Sequence, residues 1–172
     1  IAVGGPGWYL RRPGFAWGGM GVAAVWHGGA VAVARRLHEQ GRRRELDQIG
    51  RMHLGRVDAA LHRSRAVLAE AAALVDRGAG DGGDGARLAL RVRNSARLAA
   101  EETLMAAAHG LGPGPLTGEE RHARRVADLQ VYLRQEHAAR DEAALGALID
   151  VDGPAPWWTR PIPRRSPAML RP

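Results

Sequence analysis

The chain of 172 residues contains no cysteine, which excludes disulfide frameworks, thiolate nucleophiles and zinc sites with cysteine ligands. It also contains no lysine, so all 25 basic residues are arginines. Abundant arginine, alanine and glycine are typical of a GC-rich coding bias, which makes the formal charge of +7 a weak sign of a nucleic-acid partner. Because arginine alternates with aspartate and glutamate, as on a solvated helical surface, we predict no nucleic-acid binding.

The sequence also lacks the common motifs of metal and phosphate sites. It has seven histidines but no HExxH, and it has no repeated ExxH of the kind that builds a di-iron bundle. The glycine-rich segment 78–85 lacks the following lysine and the preceding strand of a phosphate loop. We therefore predict no metal site, and we interpret 78–85 as a flexible linker without helix.

Helical periodicity is what the chain does have. Apolar or small residues suitable for a helix extend over four segments, 16–39, 44–77, 86–109 and 119–149. No alternating apolar run of strand length occurs between the first segment and the last. The sequence thus predicts an all-α fold, an antiparallel up-and-down four-helix bundle.

Several residues indicate where these helices begin and end. A break is expected near Gly41, and a stop at 110–113, where glycine and proline forbid continuation. Thr117 precedes Glu120 by three residues, the spacing of a capping box for the fourth helix. That helix is expected to bend near its middle.

The chain divides into three parts by composition. Residues 1–15 are rich in glycine and begin with Ile1, and we expect them to be the end of a preceding domain and a linker. Residues 16–150 are expected to form the bundle, and the proline- and arginine-rich residues 151–172 an extended tail. This organisation predicts that the chain is the C-terminal part of a longer protein.

The uncharged stretch 13–34, between two arginine pairs, is long enough for a membrane span or an export signal. It nevertheless contains six glycines and no leucine or isoleucine. We interpret it as the first helix of the bundle, buried on most sides, in a protein without membrane contact. Phe15, Trp17, Trp26 and His27 are then candidates for lining a pocket wall.

Two features could carry chemistry. Glu136 shares a helical stripe with Val126, Leu129 and Leu133, which turns its carboxylate toward the bundle interior, where a raised pKa would suit proton abstraction. The alternative is that the helix bends there and leaves Glu136 solvated. The second feature is the break 109–115, "HGLGPGP", whose backbone N–H groups can approach a phosphate or a planar ring closely.

Two segments resemble a known family. Residues 51–72, "RMHLGRVDAALHRSRAVLAEAA", resemble the acyl-CoA dehydrogenase helix that carries R-x-x-F-G and an L-A-E-x-A ending. Residues 109–136 are similar to that family's Q-x-L-G-G-x-G loop and the start of its next helix. The matching residues are Arg51, Gly55, Leu68, Ala69 and Glu70 in the first segment, and Leu111, Gly112, Asp128 and Tyr132 in the second.

The resemblance implies the C-terminal helical domain of a flavoprotein that binds FAD. Arg51 would contact the FAD pyrophosphate, and Gly55 belongs to the same motif. Gly110, Leu111 and Gly112 would line the cofactor of another chain in a homo-oligomer, a dimer or tetramer. His62 and His109 stand where the family has glutamine, and either imidazole can still form a hydrogen bond.

The resemblance also implies an activity, the α,β-oxidation of an acyl-CoA or similar thioester, in the cytoplasm, with a separate electron acceptor. Glu136 lies eight residues after Asp128, where many members carry the base. The surrounding sequence "LRQEHAARD" is similar to that of a divergent branch of the family, which includes flavin monooxygenases. In such an enzyme His137 would aid the reaction at the flavin, and FMN could replace FAD. A third interpretation is a non-catalytic helical module for assembly or nucleic-acid binding through the arginine-rich tail.

Overall fold

The structure, a computed structural model, describes residues 3–78, 82–149 and 157–159. These residues form helices and turns, and no β-strand occurs among them. The α-helices are α1 (Trp8–Arg11), α2 (Pro13–Arg43), α3 (Gln48–Asp76), α4 (Gly82–Leu111), α5 (Gly114–Gly118), α6 (Glu120–Tyr132) and α7 (Ala139–Ala147), with single 3₁₀ turns at Leu133–Gln135 and Trp157–Thr159. The all-α prediction is confirmed.

Helix α2 carries the uncharged stretch and buries one face. Its buried residues recur every three or four positions, at Met20, Ala23, Trp26, Ala30, Val33 and Leu37. The opposite face is open to solvent, and Val25 there is 55% exposed. The helix is therefore confirmed, but the expectation that it is buried on most sides is wrong. Within the described residues, no helix has the length and apolarity needed to cross a membrane.

The predicted break at Gly41 is also wrong, because α2 continues to Arg43. A Cβ on Gly41 would lie 2.9 Å from Leu46 Cδ1, so this glycine makes room for Leu46 as the chain reverses. Helix α3 then begins at Gln48 rather than at Arg44. Asp47 is its N-cap, since its Oδ1 accepts a 2.7 Å hydrogen bond from the Gly50 N–H.

The predicted linker 78–85 is helical in its second half, because α4 begins at Gly82. Residues 79–81 lie outside the described residues. Helix α4 ends at Leu111, two residues beyond the predicted end, and Gly112 follows with φ of +69°. That left-handed conformation at a helix end favours glycine, which confirms the predicted stop.

The fourth predicted segment is not one helix. Thr117 lies inside α5, where its hydroxyl contacts the carbonyls of Pro113 and Gly114, so the predicted capping box is wrong. Helix α6 has Glu119 as its N-cap, with no side-chain hydrogen bond to the helix.

The expected bend in this segment is a complete break between Tyr132 and Ala139. Within it, Ala138 has φ of +44°, a region that residues with a Cβ rarely adopt.

The ends of the chain were expected to be irregular. The first residues instead contain the helical turn α1, and α2 already begins at Pro13. Of the predicted tail 151–172, only 157–159 lie within the described residues, and they form a 3₁₀ turn.

The core lies where α4 packs against both α2 and α3. Small side chains dominate it, among them Ala23, Ala30, Ala96, Ala99, Ala100 and Ala106, which lets the helix backbones approach closely. Trp26 is its largest fully buried side chain, and it meets the ring of Tyr132 edge-on at 6.2 Å. Helix α6 packs on α2, and α7 packs on α4.

Candidate cofactor site

A cleft of about 280 Å³ lies where the beginning of α3 meets the end of α4. We name it the end cleft. It is lined by residues 44–47, Ile49, Gly50, His53, His109 and Gly110. The two segments that resemble cofactor motifs are far apart in sequence, yet both contribute to this one cleft.

His53 is the most enclosed polar residue of the end cleft. It is 5% exposed, and its Nδ1 is buried with no hydrogen-bond partner among the described residues. Its ring centroid lies 5.9 Å from that of the exposed His109, in an edge-to-face arrangement. Because this nitrogen is enclosed, a ligand in the cleft would reach it only after the His53 ring turned. No sequence motif marked His53 as a candidate residue.

Gly110 permits the close packing around the end cleft. A Cβ at this position would lie 2.7 Å from Leu37 Cδ1 and 3.6 Å from the His53 ring. Leu111 instead packs against the core. Gly112 has open space around the position of a Cβ.

Arg51 lies beside the end cleft, next to the same turn. Its guanidinium is 3.3 Å from Glu45 Oε1, and both side chains are largely exposed, at 68% and 90%. An exposed pair of this length contributes at most about 1 kcal/mol. Arg51 can therefore exchange Glu45 for an anionic ligand at little cost.

The structure does not bring Gly55 and His62 to the end cleft. Gly55 is exposed, with nothing within 4 Å of a Cβ position. His62 is eleven residues after Arg51, which is about 16 Å along a helix. It lines a different groove between α3 and α4, together with Arg63, Leu98 and other residues.

Glu136 is buried, as its stripe predicts. Its side chain has no exposed surface, and its Oε2 lies 2.8 Å from Arg97 Nε. The same oxygen accepts a 2.8 Å hydrogen bond from the Ala138 N–H. The Arg97 N–H does not point at the carboxylate, so the Arg97 contact is an ion pair rather than a hydrogen bond. Glu136 therefore faces α4, although the helix does break at this point.

His137 is placed quite differently from its neighbour. Its side chain is 63% exposed, and its Nδ1 lies 3.6 Å from Asp141 Oδ1. Of the two predicted catalytic residues, His137 is the one that a solvent-borne molecule can reach. Neither residue lines the end cleft.

None of the residues proposed for a pocket wall lines the end cleft. Trp26 is in the core, and Phe15 and Trp17 are exposed. His27 is half-buried, with its Nδ1 3.1 Å from the Ser64 hydroxyl. Across the described residues, no group of three or more histidine, aspartate or glutamate side chains is arranged to hold a metal ion.

Comparison of this chain with protein-family models, with curated proteins and with solved structures finds no match. The family resemblance therefore stays a prediction.

Proposed function

We propose that this chain is the helical domain of an acyl-CoA dehydrogenase-like flavoprotein, in which the end cleft binds part of FAD. Its long helices would form the antiparallel up-and-down bundle of that domain type. One observation carries the proposal: Gly50 and His53, beside Arg51, line the same cleft as His109 and Gly110. The two segments are similar to cofactor motifs of one family, and they converge in space.

The residues of the end cleft fit one portion of such a cofactor. About 280 Å³ is just below the usual range for a small-molecule pocket, roughly 300–1,000 Å³, so the cleft suits a diphosphate or a ribose rather than all of FAD. Arg44 in the lining and Arg51 beside it supply positive charge, while Glu45 and Asp47 of the same lining supply negative charge. A ribose, which is uncharged, therefore suits the lining better than a diphosphate does. A cofactor shared between two copies of the chain would account for the small size.

When bound, FAD would accept a hydride from the β-carbon of an acyl thioester. The chain's own task would be to hold the cofactor and to remove the α-proton, for which Glu136 is the proposed base. Because Glu136 now faces Arg97, the segment 133–138 would have to turn outward to present it. The same proposal includes a separate electron acceptor, assembly into a dimer or tetramer, and a cytoplasmic location.

The exposure of His137 favours a second candidate, a flavin monooxygenase of the same fold that uses FAD or FMN. His137 is accessible and lies within 3.6 Å of Asp141, which would hold the imidazole in place, whereas Glu136 is enclosed. With FAD bound, acyl-CoA should bleach the flavin of the wild type, and Glu136→Gln should abolish this bleaching with flavin still bound. Unchanged bleaching in the variant rejects Glu136 as the base, whereas no bleaching of the wild type favours the monooxygenase candidate.

The binding proposal is tested by titrating FAD into the protein and following the quenching of flavin fluorescence. Arg51→Gln should weaken binding roughly 10- to 100-fold, the effect of a charged hydrogen bond. Arg56→Gln, an exposed arginine of the same helix, is the matched control and should bind as the wild type does. Glu45→Gln should strengthen binding a few-fold, because it frees Arg51.

No saturable FAD binding by the wild-type protein, or equal weakening by Arg51→Gln and Arg56→Gln, contradicts the proposal. Strong DNA binding that falls steeply with salt would instead favour the non-catalytic module.

A further inference from the structure

Residues 134–138, which we name the latch, lie in the break between α6 and α7. Glu136 is the only buried residue of the latch, and the other four are exposed. Both ends of the latch are anchored. Leu133 before it is 1% exposed in the core, and Glu142 in α7 accepts a 2.6 Å hydrogen bond from Arg97. The latch can therefore turn outward without taking a large apolar side chain out of the core.

Glu136 is poorly satisfied in its enclosed position. Its Oε1 is buried without a hydrogen-bond partner among the described residues, and so is the Arg97 Nε, which lies 2.8 Å from its Oε2. Buried carboxylates normally form hydrogen bonds through their oxygens, and an oxygen without a partner has lost the water that it would bind in solvent. An outward turn of the latch would return both oxygens of Glu136 to water.

Arg97 does not need Glu136 as a counter-ion. Its two terminal nitrogens donate hydrogen bonds of 2.7 Å to Glu101 and 2.6 Å to Glu142. These are the short, charge-assisted hydrogen bonds of the network, and neither involves the latch. The guanidinium therefore keeps two carboxylate partners when Glu136 leaves.

The backbone of the latch is strained. Ala138 has φ of +44° and ψ of −109°, a conformation that is unfavourable for a residue with a Cβ. Two contacts maintain it: Glu136 Oε2 accepts a 2.8 Å hydrogen bond from the Ala138 N–H, and Arg93 donates one of 3.0 Å to the Gln135 carbonyl. The contacts that enclose Glu136 thus also hold the strain, and their release would let Ala138 adopt an ordinary conformation.

We propose that the latch exchanges between this closed conformation and a less populated open one in which Glu136 is exposed, and that the Arg97–Glu136 ion pair is an autoinhibitory contact. The closed latch keeps the carboxylate away from any substrate. The open latch presents it, while Arg97 stays with Glu101 and Glu142. The consequence for catalysis rests on the proposed function, in which Glu136 is the base, whereas the exchange itself does not.

The exchange is tested by amidation of carboxyl groups in the full chain with a water-soluble carbodiimide and glycinamide, followed by peptide mass spectrometry. Only an exposed carboxylate reacts. Glu136 should react about 10- to 1,000-fold more slowly than Glu120, since a minor conformation of this kind is populated at roughly 0.1–10%. The Glu120 side chain, by contrast, is 84% exposed. Low concentrations of urea should leave the Glu136 rate unchanged, because a local opening exposes little surface, whereas global unfolding depends steeply on urea.

One pair of variants tests the contact that closes the latch. Arg93→Gln removes the hydrogen bond to the Gln135 carbonyl and should speed the amidation of Glu136 about 10-fold, the effect of losing one charged hydrogen bond. Arg91→Gln, at an exposed position of the same helix, is the matched control and should leave the rate unchanged.

A second pair tests the strain. Ala138→Gly relieves it in the closed conformation and should slow the amidation of Glu136 about 3- to 30-fold, after allowance for the extra backbone freedom of glycine in the open one. Ala139→Gly, at the next position and also exposed, adds the same freedom without relieving strain and should not slow the reaction.

The wild type alone can overturn the proposal, whether or not the variants fold. It is overturned if Glu136 reacts as fast as Glu120, because there is then no closed conformation, or if Glu136 reacts only as steeply with urea as the whole chain unfolds. Faster amidation in Ala138→Gly would equally overturn it. The amidation uses neither flavin nor acyl-CoA, so failure of the latch can be told from failure of the proposed function.

Discussion

Arg97 on α4 stands at the centre of an ionic network. It donates hydrogen bonds of 2.7 Å to Glu101 and 2.6 Å to Glu142, and it pairs with the enclosed Glu136 at 2.8 Å. Only 8% of its side chain is exposed. An ion pair of this kind matters most when one partner is removed, because the remaining charge is then buried alone.

Replacing Arg97 by methionine is expected to lower the free energy of unfolding by about 3–5 kcal/mol, since Glu136 loses its counter-ion. Urea unfolding followed by circular dichroism measures this. Arg63→Met is the control, because Arg63 pairs with Glu102 at the surface and its loss should cost less than about 1 kcal/mol. The double variant with Glu136→Leu should regain most of the loss, and failure to do so would show that the pair is not the cause.

Two histidines should make the stability depend on pH. Burial lowers the pKa of His27, and Arg65 lowers it further; burial likewise lowers the pKa of His122. The unfolded chain therefore takes up protons near pH 6.5, before the folded chain does. The stabilising effect of the neutral rings is present above pH 6.5 and is lost as the pH falls below it.

Thermal melts between pH 7.5 and pH 5 should accordingly show a falling melting temperature. The combined variant His27→Gln and His122→Gln should flatten this dependence, whereas His62→Gln, at an exposed position, should not. The Glu119 carboxyl, whose pKa the Arg36 hydrogen bond lowers, stays ionised over this range. A wild-type melting temperature that is constant across the range would contradict the prediction.

At the scale of single elements, glycines within helices have opposite roles. A Cβ on Gly110, in the last turn of α4, would lie 2.7 Å from Leu37 Cδ1, whereas a Cβ on Gly28 in α2 would have no neighbouring atom within 4 Å. Gly110→Ala should destabilise the protein by about 1–3 kcal/mol through overpacking. Gly28→Ala should stabilise it by about 0.5–1 kcal/mol, because alanine loses less backbone entropy in a helix. Chemical denaturation of the two variants side by side tests this, and the same sign for both would refute the packing argument.

The break between α6 and α7 is held by α4 rather than by its own sequence. Arg93 donates a 3.0 Å hydrogen bond to the Gln135 carbonyl and lies 3.8 Å from Asp141, and its guanidinium stacks over Trp26 at 4.8 Å. Together with the Arg97 contacts, this fixes the segment that carries Glu136 and His137. The positive φ of Ala138 is kept only because these contacts determine the chain path.

At the scale of the whole molecule, the groove between α3 and α4 leaves apolar surface exposed. Leu98 and Met105 on α4 are 51% and 59% exposed, and both line this groove of about 810 Å³. Such a surface is typical of a contact between protein chains. It is the surface through which we expect the proposed homo-oligomer to form.

Leu98→Arg should therefore shift the protein toward the monomer. Light scattering after size-exclusion chromatography should show a dimer or tetramer for the wild type and a lower mass for the variant. The helical circular dichroism should stay the same, because Leu98 is outside the core. A wild type that is monomeric at every concentration would remove the assembly part of the proposed function.

What the sequence by itself determined is local. The three- to four-residue periodicity is written along the chain, so the helical class and the inward direction of Glu136 could be predicted from it. The stop after Leu111 could be predicted for the same reason, since glycine and proline act on their own backbone.

Only the tertiary structure decided which residues far apart in sequence come into contact. The counter-ion of Glu136 is 39 residues away, and His53 lines a cleft only because the end of α4 lies beside it. The helix boundaries that were wrong have a nearer origin: Gly41 allows Leu46, five residues further on, to pack rather than ending α2, and Thr117 bonds back to Pro113 and Gly114 within α5. The contacts between residues distant in sequence are not written in the local pattern, and their free energies exceed local preferences of about 1 kcal/mol.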